Sequence, residues 1–157
     1  MDETPHVTIY TDGACEPNPG PGGWAALLRF SGHETVLTGS AADTTNNRME
    51  LTAAVQALQV LTRPCQIDFF TDSEYLRRGI TEWLPNWRAR NWRRKAGALA
   101  NADLWKLLEA AIQPHTMRWH WVRGHGGDAD NERVDRLANQ AIPRNSSRPA
   151  PGTNKLL

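Results

Sequence analysis

The chain has 157 residues, of which 39% are hydrophobic and 22% charged, and its formal net charge at pH 7 is +1. This length and composition are typical of one globular domain and exclude a disordered protein. No apolar run approaches the roughly 18 residues of a membrane-spanning helix, and two cysteines are too few for a disulfide scaffold. The acidic start also lacks the pattern of a secretory signal, so we expect a cytoplasmic monomer that does not contact a membrane.

Three strands are predicted at the start of the chain. Residues 7–11 alternate between two faces and are β-branched or aromatic, which favours a strand that ends at Asp12. Residues 16–23 are rich in glycine and proline and predict a loop. Residues 24–30 and 33–40, joined by a short Ser-Gly link, predict a hairpin.

A helix and a fourth strand follow. Asn47 is a good N-cap, and Glu50 stands three residues later, as in a capping box. Apolar residues then recur at helical spacing as far as Leu61, and Pro64 ends the helix. Residues 66–71 predict a strand that, like the first, ends in Thr-Asp, here at Asp72.

The second half alternates helices with a strand. Short helical pieces are predicted over 73–79 and 81–87, a helix over 103–112, a strand over 117–122 and a last helix from its N-cap Asn131 to residue 142. Helices interleaved with strands predict an α/β domain with a mixed sheet. We expect this domain to span residues 1–142 and the Pro- and Ser-rich residues 143–157 to form a flexible tail.

Four acids stand at positions where they could meet. If the first and fourth strands are parallel neighbours, Asp12 and Asp72 lie at the same edge of the sheet, where α/β proteins bind ligands. Glu50 and Asp135 lie near the starts of two predicted helices. Clustered carboxylates repel one another, and an oxygen-only ligand set favours a hard divalent cation such as Mg²⁺ or Mn²⁺. Two such ions can clamp a phosphodiester.

Each acid also has a purely structural interpretation. Glu50 would be the capping-box partner of Asn47, Asp12 a turn former before glycine, Asp72 a turn former or N-cap, and Asp135 a solvated helix residue. Residue type alone does not decide between these interpretations.

The positive charge is concentrated in one segment. Five cations and no acid lie in residues 88–95, so the rest of the chain carries a formal charge of −4. Tryptophans flank and interrupt this segment, and such a pattern is typical either of a solvated face or of a surface that binds a polyanion.

The local sequences around the acids resemble those of bacterial type 1 ribonucleases H. The resemblance covers most of residues 6–142, in the order of the family. The matching stretches are Tyr10-Thr-Asp-Gly-Ala14, Asn18-Pro-Gly-Pro-Gly-Gly23, Thr44-Thr-Asn-Asn-Arg-Met-Glu-Leu51, Thr71-Asp-Ser73, Asn101-Ala-Asp-Leu-Trp105, Trp121-Val-Arg-Gly-His125 and Asn131-Glu-Arg-Val-Asp135.

The resemblance implies a fold, an activity and catalytic roles. The fold would be the ribonuclease H-like α/β fold, a five-stranded mixed sheet flanked by helices on both faces. The activity would be hydrolysis of the RNA strand of RNA/DNA hybrids with two Mg²⁺ ions, leaving 5′-phosphate and 3′-hydroxyl ends. Asp12 would bridge both ions, Asp135 would hold one, and Glu50 and Asp72 would hold the other. His125, in a glycine-rich loop, would assist proton transfer or product release.

The resemblance also implies how the hybrid is bound. Residues of the Asn18 loop and the start of the first helix would read the 2′-hydroxyls and the DNA strand. The basic segment, at about residues 83–100, matches the substrate-binding protrusion of the family. The substrate-binding candidates are Asn18, Thr45, Asn46, Glu74, Trp83, Trp87, Arg88, Arg90 and Trp92. Trp87 and Trp92 are expected to be partly buried, and Trp105, Trp119 and Trp121 to be core residues.

Three other functions are possible from the residues. The chain would be a related nuclease that cuts DNA, such as a resolvase or integrase core, a hybrid-binding module without activity, or a carboxylate hydrolase that needs no metal. Cleavage of hybrid, duplex DNA and duplex RNA, with and without Mg²⁺, would separate all of these.

Overall fold

A computed structural model describes residues 4–89, 93–94, 97–98, 100–123 and 127–144. Its strands are β1 (His6–Cys15), β2 (Gly20–Phe30), β3 (His33–Thr44), β4 (Gln66–Thr71), the two-residue pair β5 (Arg93–Arg94) and β6 (Gly97–Ala98), and β7 (Thr116–Trp121). Its helices are α1 (Asn46–Gln59), α2 (Glu74–Arg78), α3 (Leu84–Ala89), α4 (Ala102–Ile112) and α5 (Ala129–Ala141), with a π-helical turn (Gly79–Trp83) between α2 and α3.

Five of the strands form one mixed sheet in the order β3-β2-β1-β4-β7. The first three strands pair antiparallel, as a meander, whereas β1 pairs parallel with β4 and β4 parallel with β7. The predicted mixed sheet of five strands is therefore confirmed. The two strands predicted to end in Thr-Asp, β1 and β4, are parallel neighbours, so both aspartates lie toward one edge of the sheet.

Helices cover both faces of this sheet. On one face, α1 packs against β1 and β2 and contacts α4, which encloses the larger core with residues such as Ile9, Leu51 and Phe69. On the other face, α5 packs across β1 and β2 and buries Val134 and Ala138. The α/β fold with helices on both faces is thus confirmed.

The first three strands are longer than the sequence predicts, and β3 continues to Thr44. β1 continues to Cys15 and β2 begins at Gly20, so the predicted loop over 16–23 is wrong for residues 20–23. Neighbouring elements come so close to this extended stretch that only glycine fits there. A Cβ on Gly22 would lie 2.5 Å from Thr44 Cγ2, and one on Gly23 would lie 2.4 Å from the carbonyl oxygen of Ala138.

Both predicted helix caps are wrong. The side chain of Thr45, not of Asn47, caps α1 by accepting a hydrogen bond from Arg48 N over 3.1 Å. Asp128, not Asn131, caps α5. In each case a residue with a short oxygen-bearing side chain precedes the predicted cap by two or three positions, and the extended backbone there suits a cap better. Consequently neither Glu50 nor Asn131 is engaged in capping.

The three tryptophans predicted to be core residues differ from one another in burial. Trp105 is fully buried, as predicted. A Cβ on Gly79 would lie 1.9 Å from its ring, so the π-helical turn can pack this closely on the ring only because residue 79 is glycine. Trp119 and Trp121 are only half-buried, because β7 is the edge strand of the sheet. The two helical pieces predicted over 73–79 and 81–87 form one run, broken only by that π-helical turn.

A buried carboxylate links three strands on the face that α5 covers only in part. Asp68 on β4 is 8% exposed and contacts the imidazoles of His6 on β1 and His120 on β7. Arg118, directly opposite on β7, forms an ion pair with Asp68 over 3.1 Å. Hydrogen bonds from these groups, that of His120 first, lower the pKa of Asp68 to about 2.

No helix in the described part of the chain is long and apolar enough to cross a membrane. The predicted flexible tail lies almost wholly outside the described residues, which end at Arg144.

Candidate metal and substrate site

The parallel pairing of β1 with β4 places Asp12 and Asp72 side by side. The two strands pair from His6–Gln66 to Tyr10–Phe70, and each aspartate stands two residues beyond the last pair. Asp12 is 4% exposed, whereas Asp72 is half-buried just after the end of β4. The carboxyl edge of the sheet thus carries both predicted aspartates.

Glu50 reaches this edge because α1 passes unusually close to β1. A Cβ on Gly13 would lie 2.5 Å from the backbone nitrogen of Glu50, so only glycine allows this approach. Glu50 is 5% exposed. One carboxylate oxygen from each of Asp12, Glu50 and Asp72 lies within 4.8 Å of the others. We call these three residues the carboxylate cluster.

The fourth predicted acid joins the cluster from the opposite face of the sheet. α5 packs across β1 and β2 and brings the half-buried Asp135 next to Asp12, close enough to raise the pKa of Asp12. The structure therefore brings together all four acids that the sequence singles out, from β1, the position just after β4 and two helices.

The electrostatics of the cluster are unfavourable without a cation. Burial raises the pKa of Asp12 strongly, and the charges of Glu50, Asp72 and Asp135 raise it further. Burial and the charge of Asp72 likewise raise the pKa of Glu50. In addition, Glu50 Oε2 is buried and has no hydrogen-bond partner among the described residues. A buried carboxylate oxygen that has no hydrogen-bond partner and is surrounded by other carboxylates is in an environment typical of a metal ligand.

The donor set is suited to a hard divalent cation. The cluster and Asp135 offer carboxylate oxygens only, the ligands that Mg²⁺ and Mn²⁺ prefer. The nearby thiol of Cys15 is directed elsewhere, since its sulfur lies 3.3 Å from the carbonyl oxygen of Pro17 and 3.4 Å from that of Gly20. These residues fit magnesium better than zinc.

Sequence reasoning missed a residue at the edge of the cluster. Asn131, interpreted as a cap, lies in the first turn of α5, is 2% exposed and donates from Nδ2 to Asp72 Oδ2 over 3.3 Å. Its identity as a site residue would have followed only from recognising Asp128 as the true cap, which frees the Asn131 side chain.

Three substrate-binding candidates meet at the start of α1. The side chain of Asn18, in the exposed loop between β1 and β2, accepts a hydrogen bond from the backbone nitrogen of Asn46 over 3.1 Å. Thr45 is the cap immediately before it. The loop and the start of α1 therefore form one polar surface, and Asn46 precedes Glu50 by four residues along the chain.

The aromatic candidates pack against the body of the protein. Trp83 and Trp87 are half-buried, and their ring centroids are 5.4 Å apart. Trp83 also packs edge-on against Tyr75, and Trp87 against Trp105. Partial burial of Trp87 is as predicted.

The charged candidates of this region have partners within the chain. Arg88 forms an ion pair with Glu109 of α4, and Glu74 is exposed and lies 3.4 Å from Arg77. Three further candidates lie outside the described residues, namely Arg90, Trp92 and His125.

Comparison with known proteins adds an independent finding. A family model described as RNase H matches residues 4–143. The ribonuclease H of Hydrogenovibrio crunogenus (strain DSM 25203 / XCL-2) is 56% identical over 137 residues, which cover 87% of this chain and 94% of that protein. The ribonuclease H of Xanthomonas campestris pv. campestris (strain 8004) is 58% identical over 138 residues, covering 87% and 92%.

A solved structure is similar throughout the fold. The crystal structure of LC9-RNase H1, a type 1 RNase H with the type 2 active-site motif, superimposes with a TM-score of 0.81 at 34% identity. The match covers 90% of this chain and 74% of that chain.

Proposed function

The chain belongs to the RNase H family and is an endoribonuclease, and from this premise we propose that it cuts the RNA strand of RNA/DNA hybrids with two Mg²⁺ ions. The products would carry 5′-phosphate and 3′-hydroxyl ends. The observation that carries this proposal is the carboxylate cluster, in which one oxygen of each acid lies within 4.8 Å of the others and a buried Glu50 oxygen has no hydrogen-bond partner in the described part of the chain.

We assign the four acids separate roles. Asp12, between the other acids and nearly inaccessible to solvent, would bridge both ions. Asp135 would hold one ion from α5, and Glu50 and Asp72 would hold the other. Mg²⁺ is the preferred ion in this proposal and Mn²⁺ a functional substitute. When bound, the two ions would supply activation of the attacking water and neutralisation of the charge on the leaving 3′-oxygen.

His125 would move protons rather than hold metal. It follows β7 by four residues along the chain, β7 runs parallel to β4, which ends just before Asp72, and imidazole titrates near neutral pH. We propose that it assists proton transfer to the leaving group or departure of the product.

The hybrid would be bound at two surfaces of the protein. The polar surface formed by Asn18, Thr45 and Asn46 would contact ribose 2′-hydroxyls and the DNA strand, which backbone amides and small side chains can reach in the minor groove. The protrusion, residues 83–100, would contact the DNA strand through its cations and Trp83. We further propose that the protein acts as a cytoplasmic monomer.

The test is a gel assay with an end-labelled hybrid, duplex DNA and duplex RNA, each with Mg²⁺ and with EDTA. We expect cleavage of the RNA strand of the hybrid alone, in Mg²⁺ alone, with 5′-phosphate products. The Asp12→Asn variant should lose cleavage and keep its fold and most of its hybrid affinity.

Other outcomes would point to other functions. Cleavage of duplex DNA would indicate a DNA nuclease of the same fold. Binding of hybrid without cleavage in saturating Mg²⁺ would indicate a binding module. Cleavage that survives EDTA would exclude the metal-dependent mechanism.

A further inference from the structure

Arg48 joins the first turns of two helices. Its guanidinium makes a two-pronged ion pair with Asp103 in the first turn of α4, with Nη1 donating to Oδ1 over 3.1 Å and Nη2 to Oδ2 over 2.8 Å. A fork of this kind fixes orientation as well as distance. The starts of α1 and α4 are therefore held in one relative arrangement.

The residue before α4 extends this contact to a third helix. Asn101 has the left-handed backbone angles φ 60° and ψ 24°, a conformation that asparagine adopts more readily than most residues with a Cβ. Its side chain does not cap α4. Instead Oδ1 accepts from Arg48 Nη1 over 3.1 Å and Nδ2 donates to the Tyr75 hydroxyl over 3.0 Å. Tyr75 belongs to α2, three residues after Asp72, so α1, α2 and α4 are linked near the proposed site.

Stability does not account for this arrangement. The Arg48 side chain is 36% exposed and that of Asp103 is 63% exposed, and ion pairs at such positions add little to the free energy of unfolding.

The location of the pair suggests what it does. Arg48 follows Thr45 and Asn46, which are proposed to contact the hybrid, by two or three residues. Asp103 lies where the chain returns from the protrusion into α4. Arg48 also neutralises an exposed carboxylate that would otherwise repel a phosphate backbone brought to this surface.

We propose that Arg48 and Asp103 are positioning residues for hybrid binding. Their ion pair sets the spacing between the start of α1 and the segment that leads out of the protrusion, so that both surfaces engage one DNA strand. The inference rests on the proposed function and adds to it. Because neither side chain belongs to the carboxylate cluster, losing the pair weakens binding in the ground state and the transition state alike, which raises KM and leaves kcat unchanged.

The test is steady-state cleavage of a labelled hybrid in Mg²⁺, combined with thermal unfolding. Arg48→Met is expected to raise KM about fivefold, the upper end of what an exposed ion pair contributes, with kcat and the unfolding temperature nearly unchanged. Arg48→Lys, which keeps the charge but not the fork, should give a smaller rise. The charge-reversed double variant Arg48→Asp/Asp103→Arg should recover most of the affinity.

A matched control separates position from charge. Arg63→Met removes one exposed positive charge in the segment between α1 and β4, far along the chain from the ion pair, and should leave KM at the wild-type value.

Three results would overturn the inference while the proposed function stands. They are an unchanged KM in Arg48→Met, a fall in kcat at constant KM, and no recovery in the charge-reversed variant, which would mean that Arg48 contacts the hybrid directly. If the wild-type protein neither binds nor cleaves the hybrid, the proposed function fails, and the inference with it.

Discussion

Replacing Asp12 by asparagine should stabilise the metal-free protein while abolishing its activity. Asp12 is 4% exposed and lies among Glu50, Asp72 and Asp135, and this environment raises its pKa from 3.8 to well above neutral. In the unfolded chain the same carboxyl is ionised at pH 7. Folding at that pH must therefore take up a proton, whereas the asparagine variant needs none.

The magnitude follows from the distance between the unfolded pKa and the working pH. Between 3.8 and 7 there are about 3 pH units, each equivalent to about 1.4 kcal/mol, so the penalty in the wild type reaches about 4 kcal/mol. Because the folded pKa is raised, the wild type is most favoured below pH 4 and loses stability as the pH rises. The advantage of Asp12→Asn should accordingly be small at pH 4 and largest at pH 7 and above.

The assay is urea unfolding followed by tryptophan fluorescence at several pH values in EDTA. Asp43→Asn, which replaces an exposed acid on β3, is the control and should change the free energy of unfolding by less than about 0.5 kcal/mol. Addition of Mg²⁺ should stabilise the wild type more than Asp12→Asn, because ions that bind only the folded cluster shift the equilibrium by mass action. Equal or lower stability of Asp12→Asn at pH 7, or a difference independent of pH, would refute this electrostatic reasoning.

Three further changes test other parts of the molecule. Gly13→Ala places a Cβ 2.5 Å from the backbone of α1, so it should lower the free energy of unfolding in urea by about 2 kcal/mol or more and weaken Mg²⁺ binding measured by calorimetry. Wild-type values of both quantities would show that α1 moves freely. Asp68→Asn should lower the free energy of unfolding by about 2 kcal/mol at pH 6, because the lowered pKa of this carboxyl stabilises the fold above pH 4. The difference from wild type should vanish as the pH falls toward 2, and a difference that stays constant would contradict this explanation. His125→Ala should slow turnover of the hybrid without eliminating it, and complete inactivity in single-turnover assays would mean that the histidine does more than move protons.

The local sequence patterns predicted which helices and strands form better than they predicted where each one begins and ends. The fourth strand occupies the predicted residues, because a run of β-branched and aromatic residues bounded by Pro64 and Asp72 leaves little choice. The caps were wrong, since Thr45 and Asn47 are both competent N-caps in isolation and only packing selects between them. Residues 20–23 were predicted to be a loop because local preference treats glycine as a breaker, whereas the sheet needs glycine there to admit Thr44 and α5.

The sequence by itself determined the identity of the acids and the resemblance to a family, because these depend on residue type and spacing along the chain. Tertiary structure alone decided that four acids from separate elements meet, that Asn131 joins them and that Arg48 reaches Asp103. The physical reason is that convergence depends on how closely α1 and α5 approach the sheet. That distance is fixed by contacts at Gly13 and Gly23 with residues remote in sequence, and no local pattern records it.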